Sequence, residues 1–184
     1  MFFEKYNILY PLQFGFRSSY STSLAMIYLN DIINNSLSKG DSVIGILIDL
    51  SKAFDTVNHQ ILLDKLFKYG IRGIAHKWLS GYLTNRKQCV SYQNSTSPYF
   101  SITCGVPQES VLGPLLFLIY INDIKQSSNV LSFTLFADVT SVITSHSNIC
   151  TYVDIMNYEL INLDYWFKCK KLFLNYGKTN YVIF

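Results

Sequence analysis

Charge is scarce in this chain. Asp, Glu, Lys and Arg make up 15% of its 184 residues, against 49% hydrophobic residues, and 15 basic groups meet 12 acidic ones for a net charge of +3. So small an excess does not argue for a polyanion partner by itself. A mean hydropathy of +0.19 is high for a soluble chain, so the expectation is either a well-covered core or the absence of a part of the parent protein that should cover it. Cysteine is sparse as well. Cys89, Cys104, Cys150 and Cys169 stand far apart, with no Cys-x-x-Cys pair, which excludes a zinc knuckle or a disulfide frame and predicts buried free thiols in a reducing compartment. No long apolar run exists. The longest, LLFLIYI at 115–121, falls far short of the roughly 20 residues needed to span a bilayer, and no basic-then-apolar leader opens the chain. The expectation is an intracellular protein of cytoplasm or nucleus, with no membrane partner and an oligomeric state the sequence leaves open. Repeats, low-complexity tracts and Pro/Gly/Ser linkers are missing too, so this length predicts one domain with one site.

What is present reads as alternating helices and strands. The stretch 19–41 has Ser/Thr caps, apolar residues at helical spacing (Leu24, Ile27, Tyr28, Ile32) and a Gly40 stop, which predicts a helix. SVIGILIDL (42–50) is a β-branched run that suits a strand buried on both faces. HQILLDKLFKYGI and GIAHKWLSGYL read as helices ending near Gly70 and Gly81. KQCVSYQN and PYFSITCGV read as a half-buried hairpin. LGPLLFLIYINDIKQ, with its Gly-Pro start, reads as a buried helix, and 132–144 as a hairpin. TYVDIMNYELINLDYWFKCKK is an amphipathic helix and YVIF a closing strand. This order predicts an α+β fold with helices layered on an antiparallel sheet.

Two carboxylates stand out. Asp49 ends the strand at 42–50, and Asp138 occupies the bend of TLFADVTSVI (134–143). A lone carboxylate at a strand end is most often a cap or turn residue. Two at the rims of central strands can instead converge on one sheet edge, where their repulsion favours a hard divalent cation between them. Other residue types offer less. His59, His76 and His146 share no ligand spacing and read as surface or capping groups. Ser110 lies in no nucleophile elbow. Trp78, Tyr82 and Trp166 read as core rather than as stacking platforms. Lys168, Lys170 and Lys171 read equally as a snorkelling helix end or a phosphate patch.

Five ordered segments, QFGFRSSYST, LIDLSKAFDTVNHQILLDKL, GVPQESVLGPLLFLIYINDI, LFADVTSV and LNYGKT, closely resemble the reverse transcriptase domain of non-LTR (LINE-type) retrotransposons. The resemblance implies a polymerase palm, an antiparallel sheet with helices on one face, with partial fingers and no thumb. Residues 1 to about 42 would be partial fingers, and 43–184 mostly palm with inserted fingers elements. It implies RNA-directed DNA polymerase activity, with an RNA template, a DNA primer and deoxynucleoside triphosphates as partners. Two Mg²⁺ ions would serve as cofactors, with Mn²⁺ as a substitute. By position, Asp49 and Asp138 match the metal-binding aspartates, and Phe54 the steric gate against a ribose 2′-OH. Gln108 matches a residue against the nucleotide's sugar and base, Arg17 a fingers arginine on the triphosphate, and Lys178 a lysine that protonates pyrophosphate. Asp55 belongs to the motif without ligating metal.

The chain also departs from the family pattern. Val139 stands where the hairpin has a second aspartate, removing a negative charge from a site that gathers cations. Glu109 stands where the motif has glycine, adding bulk and a charge that repels a triphosphate. Together with the abrupt ends, these predict a truncated, catalytically impaired copy. The alternatives are a non-catalytic nucleic-acid-binding remnant of the same fold, or a remnant without function.

Overall fold

The computed structural model describes residues 2–107 and 110–184. In chain order its elements are α1 (Phe2–Lys5), α2 (Thr22–Leu37), β1 (Ser42–Ile48), β2 (Leu50–Ser51), α3 (His59–Lys68) and α4 (Gly73–Leu83). Four short strands follow, β3 (Lys87–Gln88), β4 (Ser91–Tyr92), β5 (Ser95–Thr96) and β6 (Phe100–Ser101). Then come α5 (Leu112–Ile121), a 3₁₀ turn (Ile124–Ser127), β7 (Ser132–Phe136), β8 (Val139–His146), α6 (Ile149–Cys169), β9 (Phe173–Leu174) and β10 (Asn180–Ile183).

The β-branched run of β1 lies at the centre, where both of its edges are paired. The sheet order is β10-β1-β8-β7, antiparallel throughout. Its register sets Ile44, Ile46 and Ile48 opposite Thr144, Val142 and Thr140, so alternate residues build one apolar face. That face meets α5, which is apolar all round because it is enclosed: Leu116, Phe117, Leu118, Ile119, Tyr120 and Ile121 are each at most 1% exposed. Leu62 and Leu66 of α3 and Leu163 and Phe167 of α6 complete the same core. Truncating a ring so enclosed, as in Phe117→Ala, costs about 3–5 kcal/mol. In addition to this expected layer, α2 approaches the opposite face. There Met26, Leu29 and Ile33 look across a cavity of about 260 Å³ at Gly45, Leu47 and Ile143.

Capping follows local chemistry. Ser21 Oγ accepts from Leu24 N at 3.2 Å at the start of α2, and Asn58 Oδ1 accepts from Ile61 N at 3.1 Å at the start of α3. Just before α5, Ser110 Oγ accepts from Gly113 N at 2.9 Å and donates to the Pro107 carbonyl at 2.7 Å, so the serine that makes no nucleophile elbow ties down the entry to the helix.

Several expectations are corrected. Cys104 and Cys169 are exposed and Cys89 is half-buried, because they lie on a short ribbon, a loop and a helix end rather than in the core; the Cys150 side chain lies outside the described set. The 87–101 hairpin is two exposed ribbons of two-residue strands, paired β3–β6 and β4–β5, since no layer covers it. Gly81 lies inside α4, which continues to Leu83. His59 is buried, with Nε2 2.7 Å from the Gly105 carbonyl oxygen, and Trp78 is 58% exposed, stacked on Tyr82. Of the lysine cluster, Lys168 pairs with Asp164 at 2.6 Å and Lys170 with Asp123 at 3.0 Å. Among the described residues no helix is long and apolar enough to cross a membrane.

Candidate active site

The pairing of β1 with β8 brings the two aspartates to one rim of the sheet. Ile48 lies opposite Thr140, so the next residues outward are Asp49 on one strand and Val139 on the other, with Asp138 in the turn beyond. Both aspartates are half-buried. The turn itself is tight. Phe136 pairs with Val139, leaving Ala137 and Asp138 as a two-residue loop in which Ala137 has φ 57°. Such loops match the twist of the flanking strands only with a positive φ, and the position favours glycine.

Asp138 opens on a cavity of about 470 Å³ that it shares with Phe54, Phe16, Lys52, Pro107 and Pro114. Phe54 is held there by packing on Phe117, ring centroids 4.8 Å apart, and edge-on against Phe16 at 6.2 Å. Asp49 is fixed from its other side. Asn175 Nδ2 donates to Asp49 Oδ2 at 3.0 Å, and Asn175 N donates to the Asp49 carbonyl at 2.9 Å. Pairing of β2 with β9 through Leu50 and Leu174 sets this register. Lys178 follows in the same turn, its N–H donating to the Asn175 carbonyl at 3.1 Å, and its side chain is exposed.

Arg17 is placed differently. Its Nε donates to Glu4 Oε1 at 3.2 Å, one terminal nitrogen donates to the carbonyls of Tyr10 and Gln13, both at 3.2 Å, and its plane lies 4.2 Å from the Tyr20 ring centroid. The guanidinium therefore secures the segment that delivers Phe16 to the cavity. Gln108 and Glu109 lie outside the described residues. Val139 is 39% exposed at the rim, where it offers no ligand atom.

Sequence reasoning missed Asn175 and Gln13. An asparagine in LNYGKT carries no signal of its own, because its partner is 126 positions away. Lys52 was missed as well, although it stands three residues after Asp49 in the quoted motif and lines the cavity.

The donors at the rim are carboxylate oxygens, the chemistry that suits a hard divalent cation. Among the described residues no group of three or more His, Cys, Asp or Glu is placed to hold a metal. Asp49 and Asp138 are of the donor type that would hold such a cation.

The chain is similar to known proteins in sequence and in fold. The family described as reverse transcriptase (RNA-dependent DNA polymerase) matches residues 2–183. A probable RNA-directed DNA polymerase from transposon BS of Drosophila melanogaster is 35% identical over 124 residues, 64% of this chain and 13% of that protein. The RNA-directed DNA polymerase from mobile element jockey of Drosophila funebris is 27% identical over 179 residues, 94% of this chain and 19% of that protein. The chain therefore spans less than a fifth of these relatives' length. Apo telomerase from Candida tropicalis superposes with a TM-score of 0.66 at 13% identity, covering 88% of this chain and 32% of that one. Telomerase from Candida albicans, solved in complex with a fragment of telomeric RNA, gives 0.64 at 16% identity over 88% of this chain and 31% of that one. These structures show a shared, palm-like polymerase fold. With five ordered motifs, a palm-like sheet and a family match from end to end, the chain belongs to the reverse transcriptase family, among the domains of LINE-type retrotransposons.

Proposed function

We propose that this chain is the nucleotidyl-transfer part of a retroelement's RNA-directed DNA polymerase, weakened in this copy at the metal-binding turn. The observation that carries the reading is the shared rim: strand register sets Asp49 and Asp138 at the same end of the β1–β8 pair, and Asp138 shares its cavity with Phe54.

In this reading Asp49 and Asp138 hold Mg²⁺, and a bound ion supplies a more acidic primer 3′-hydroxyl and charge relief on the phosphates. The remaining work falls to side chains. Phe54, braced by Phe117, fills the space a ribose 2′-OH would need. Lys52 presents a cation at the cavity wall beside Asp138 and can meet a triphosphate oxygen as a point charge. Asn175 keeps the Asp49 carboxylate turned to the rim, and Lys178 in the adjoining exposed turn is the proton donor for the leaving pyrophosphate. RNA template, DNA primer and deoxynucleoside triphosphates are the corresponding partners, with residues up to about 42 acting as partial fingers and 43–184 as mostly palm with inserted fingers elements.

A second reading, nucleic-acid binding without catalysis, is favoured by one observation, the exposed Val139 in place of a carboxylate. The deciding experiment is primer extension on an RNA template with Mg²⁺ or Mn²⁺. It compares the chain with a Val139→Asp, Glu109→Gly double variant, each checked for folding by circular dichroism. Extension by the variant and not by the native chain supports an impaired polymerase; equal extension removes the impairment. Two folded but silent proteins leave salt-dependent RNA binding as the remaining activity.

A further inference from the structure

The segment before Arg17 does more than approach the sheet. The segment 12–14 runs alongside β7 as an added parallel edge: Gln13 bridges Leu135, Phe14 N donates to the Leu135 carbonyl at 2.7 Å, and Leu135 N donates to the Leu12 carbonyl at 2.8 Å. From this edge the Gln13 side chain reaches into the aspartate turn. Its Oε1 accepts from Gly15 N at 2.8 Å and from Ala137 N at 3.2 Å. Gln13 is only 2% exposed, and its Nε2 has no hydrogen-bond partner. Leaving a buried donor unpaired is costly, so the residue is held for what its oxygen does. Gly15 belongs to the same contact, since a Cβ there would lie 2.2 Å from Ala137 N. Ala137 in turn has the positive φ that an alanine resists, and its amide is the one Gln13 holds.

We propose that Gln13 is a positioning residue for Asp138, bonding the strained Ala137 amide to the 12–14 edge so that the aspartate is presented at the rim in one orientation. The proposal rests on the reading of Asp138 as a cation ligand. It also links the Arg17 segment to the turn, because Arg17 donates to the Gln13 carbonyl at 3.2 Å.

The test uses the full chain, uniformly ¹⁵N-labelled, with amide exchange measured by NMR and Mn²⁺ binding read from paramagnetic broadening around Asp138. In Gln13→Met, which keeps length and loses the acceptor, exchange at the Ala137 and Gly15 amides is expected to rise about tenfold or more, while amides of β1 keep their protection. The Mn²⁺ concentration for half-broadening should rise severalfold, and Gln13→Glu, which keeps an acceptor oxygen, should restore protection. If Gln13→Met fails to fold, Gln13→Asn, one methylene too short to reach the turn, takes its place with the same expectation. Unchanged exchange at Ala137 overturns the proposal. So does lost protection with an unchanged Mn²⁺ midpoint, which would make the contact merely structural. Absence of Mn²⁺ broadening in the native chain overturns both the ligand role of Asp138 and the positioning role built on it. Broadening that the native chain shows and Gln13→Met loses sustains both.

Discussion

Asn175 holds Asp49 at two points, its side-chain amide on the carboxylate at 3.0 Å and its backbone N–H on the carbonyl at 2.9 Å. The two contacts fix both the strand end and the direction in which the carboxylate faces. A carboxylate left to rotate would present a ligand only part of the time.

Asn175→Ala is therefore expected to keep the fold, since the backbone contact survives, and to lose about 1 kcal/mol of stability with the side-chain hydrogen bond. Its Mn²⁺ affinity should fall severalfold. Thermal unfolding with and without Mn²⁺ separates the two effects: a Tm change that is the same in both conditions would deny Asn175 any role at the cation.

Val139→Asp adds a carboxylate at an exposed rim position next to Asp138. Without metal, repulsion should make the variant slightly less stable; with millimolar Mg²⁺ it should become more stable than the native chain, because a cation that binds only the folded state stabilises it by mass action. A metal titration followed by Tm checks the crossing, and a variant that gains nothing from Mg²⁺ would argue against a cation at this rim.

Phe54→Val opens the cavity that Phe54 shares with Asp138. In the Val139→Asp, Glu109→Gly background, the ratio of kcat/KM for deoxynucleotides over ribonucleotides should drop by tenfold or more, a difference of about 1.4 kcal/mol in the transition state. Because the ring also packs on Phe117, a stability loss of roughly 1–3 kcal/mol should accompany it. Unchanged sugar discrimination would remove Phe54 from the nucleotide site.

Beneath the sheet, Lys65 donates to the Tyr120 carbonyl and pairs with Asp123 at 2.5 Å, while Lys170 takes the other Asp123 oxygen at 3.0 Å. The Trp166 ring lies 5.8 Å from Lys65 Nζ and 5.5 Å from Lys170 Nζ. Asp123→Ala leaves one buried and one half-buried cation without an anion and should cost about 3–5 kcal/mol.

Burial lowers the Lys65 pKa to about 8 despite the Asp123 charge. Its ammonium is thus harder to hold folded than unfolded, a cost fully present below pH 8 and relieved as pH rises toward the ordinary lysine value. Stability should rise between pH 8 and 10 and decline above that. There, Tyr10 and Tyr120, whose pKa values burial pushes up to about 12, stay neutral in the folded chain while unfolded tyrosines ionise. Lys65→Met should abolish the rise; a rise that persists in the variant assigns it elsewhere.

Much of this was legible from residue order. The β-branched run of β1, the all-apolar α5 and the Ala137–Asp138 bend follow from local rules, although the strand stops at Ile48 rather than residue 50 and the helix at Ile121 rather than residue 126. The reading failed where burial depended on what lies above an element. Nothing in KQCVSYQN says that no layer will cover it, and nothing around His59 says that the Gly105 loop will close over its ring.

The sequence by itself determined the family and brought Asp49, Asp138 and Phe54 forward as candidates, because the motifs are contiguous and chemistry resides in side-chain type. Only the tertiary structure decided how those residues are held. The Ile48–Thr140 register, the Asn175 contact on Asp49 and the Gln13 contact on the Ala137 turn join residues more than 90 positions apart. Such pairings arise from the alignment of strands in the sheet, a property of the folded chain that no local segment carries.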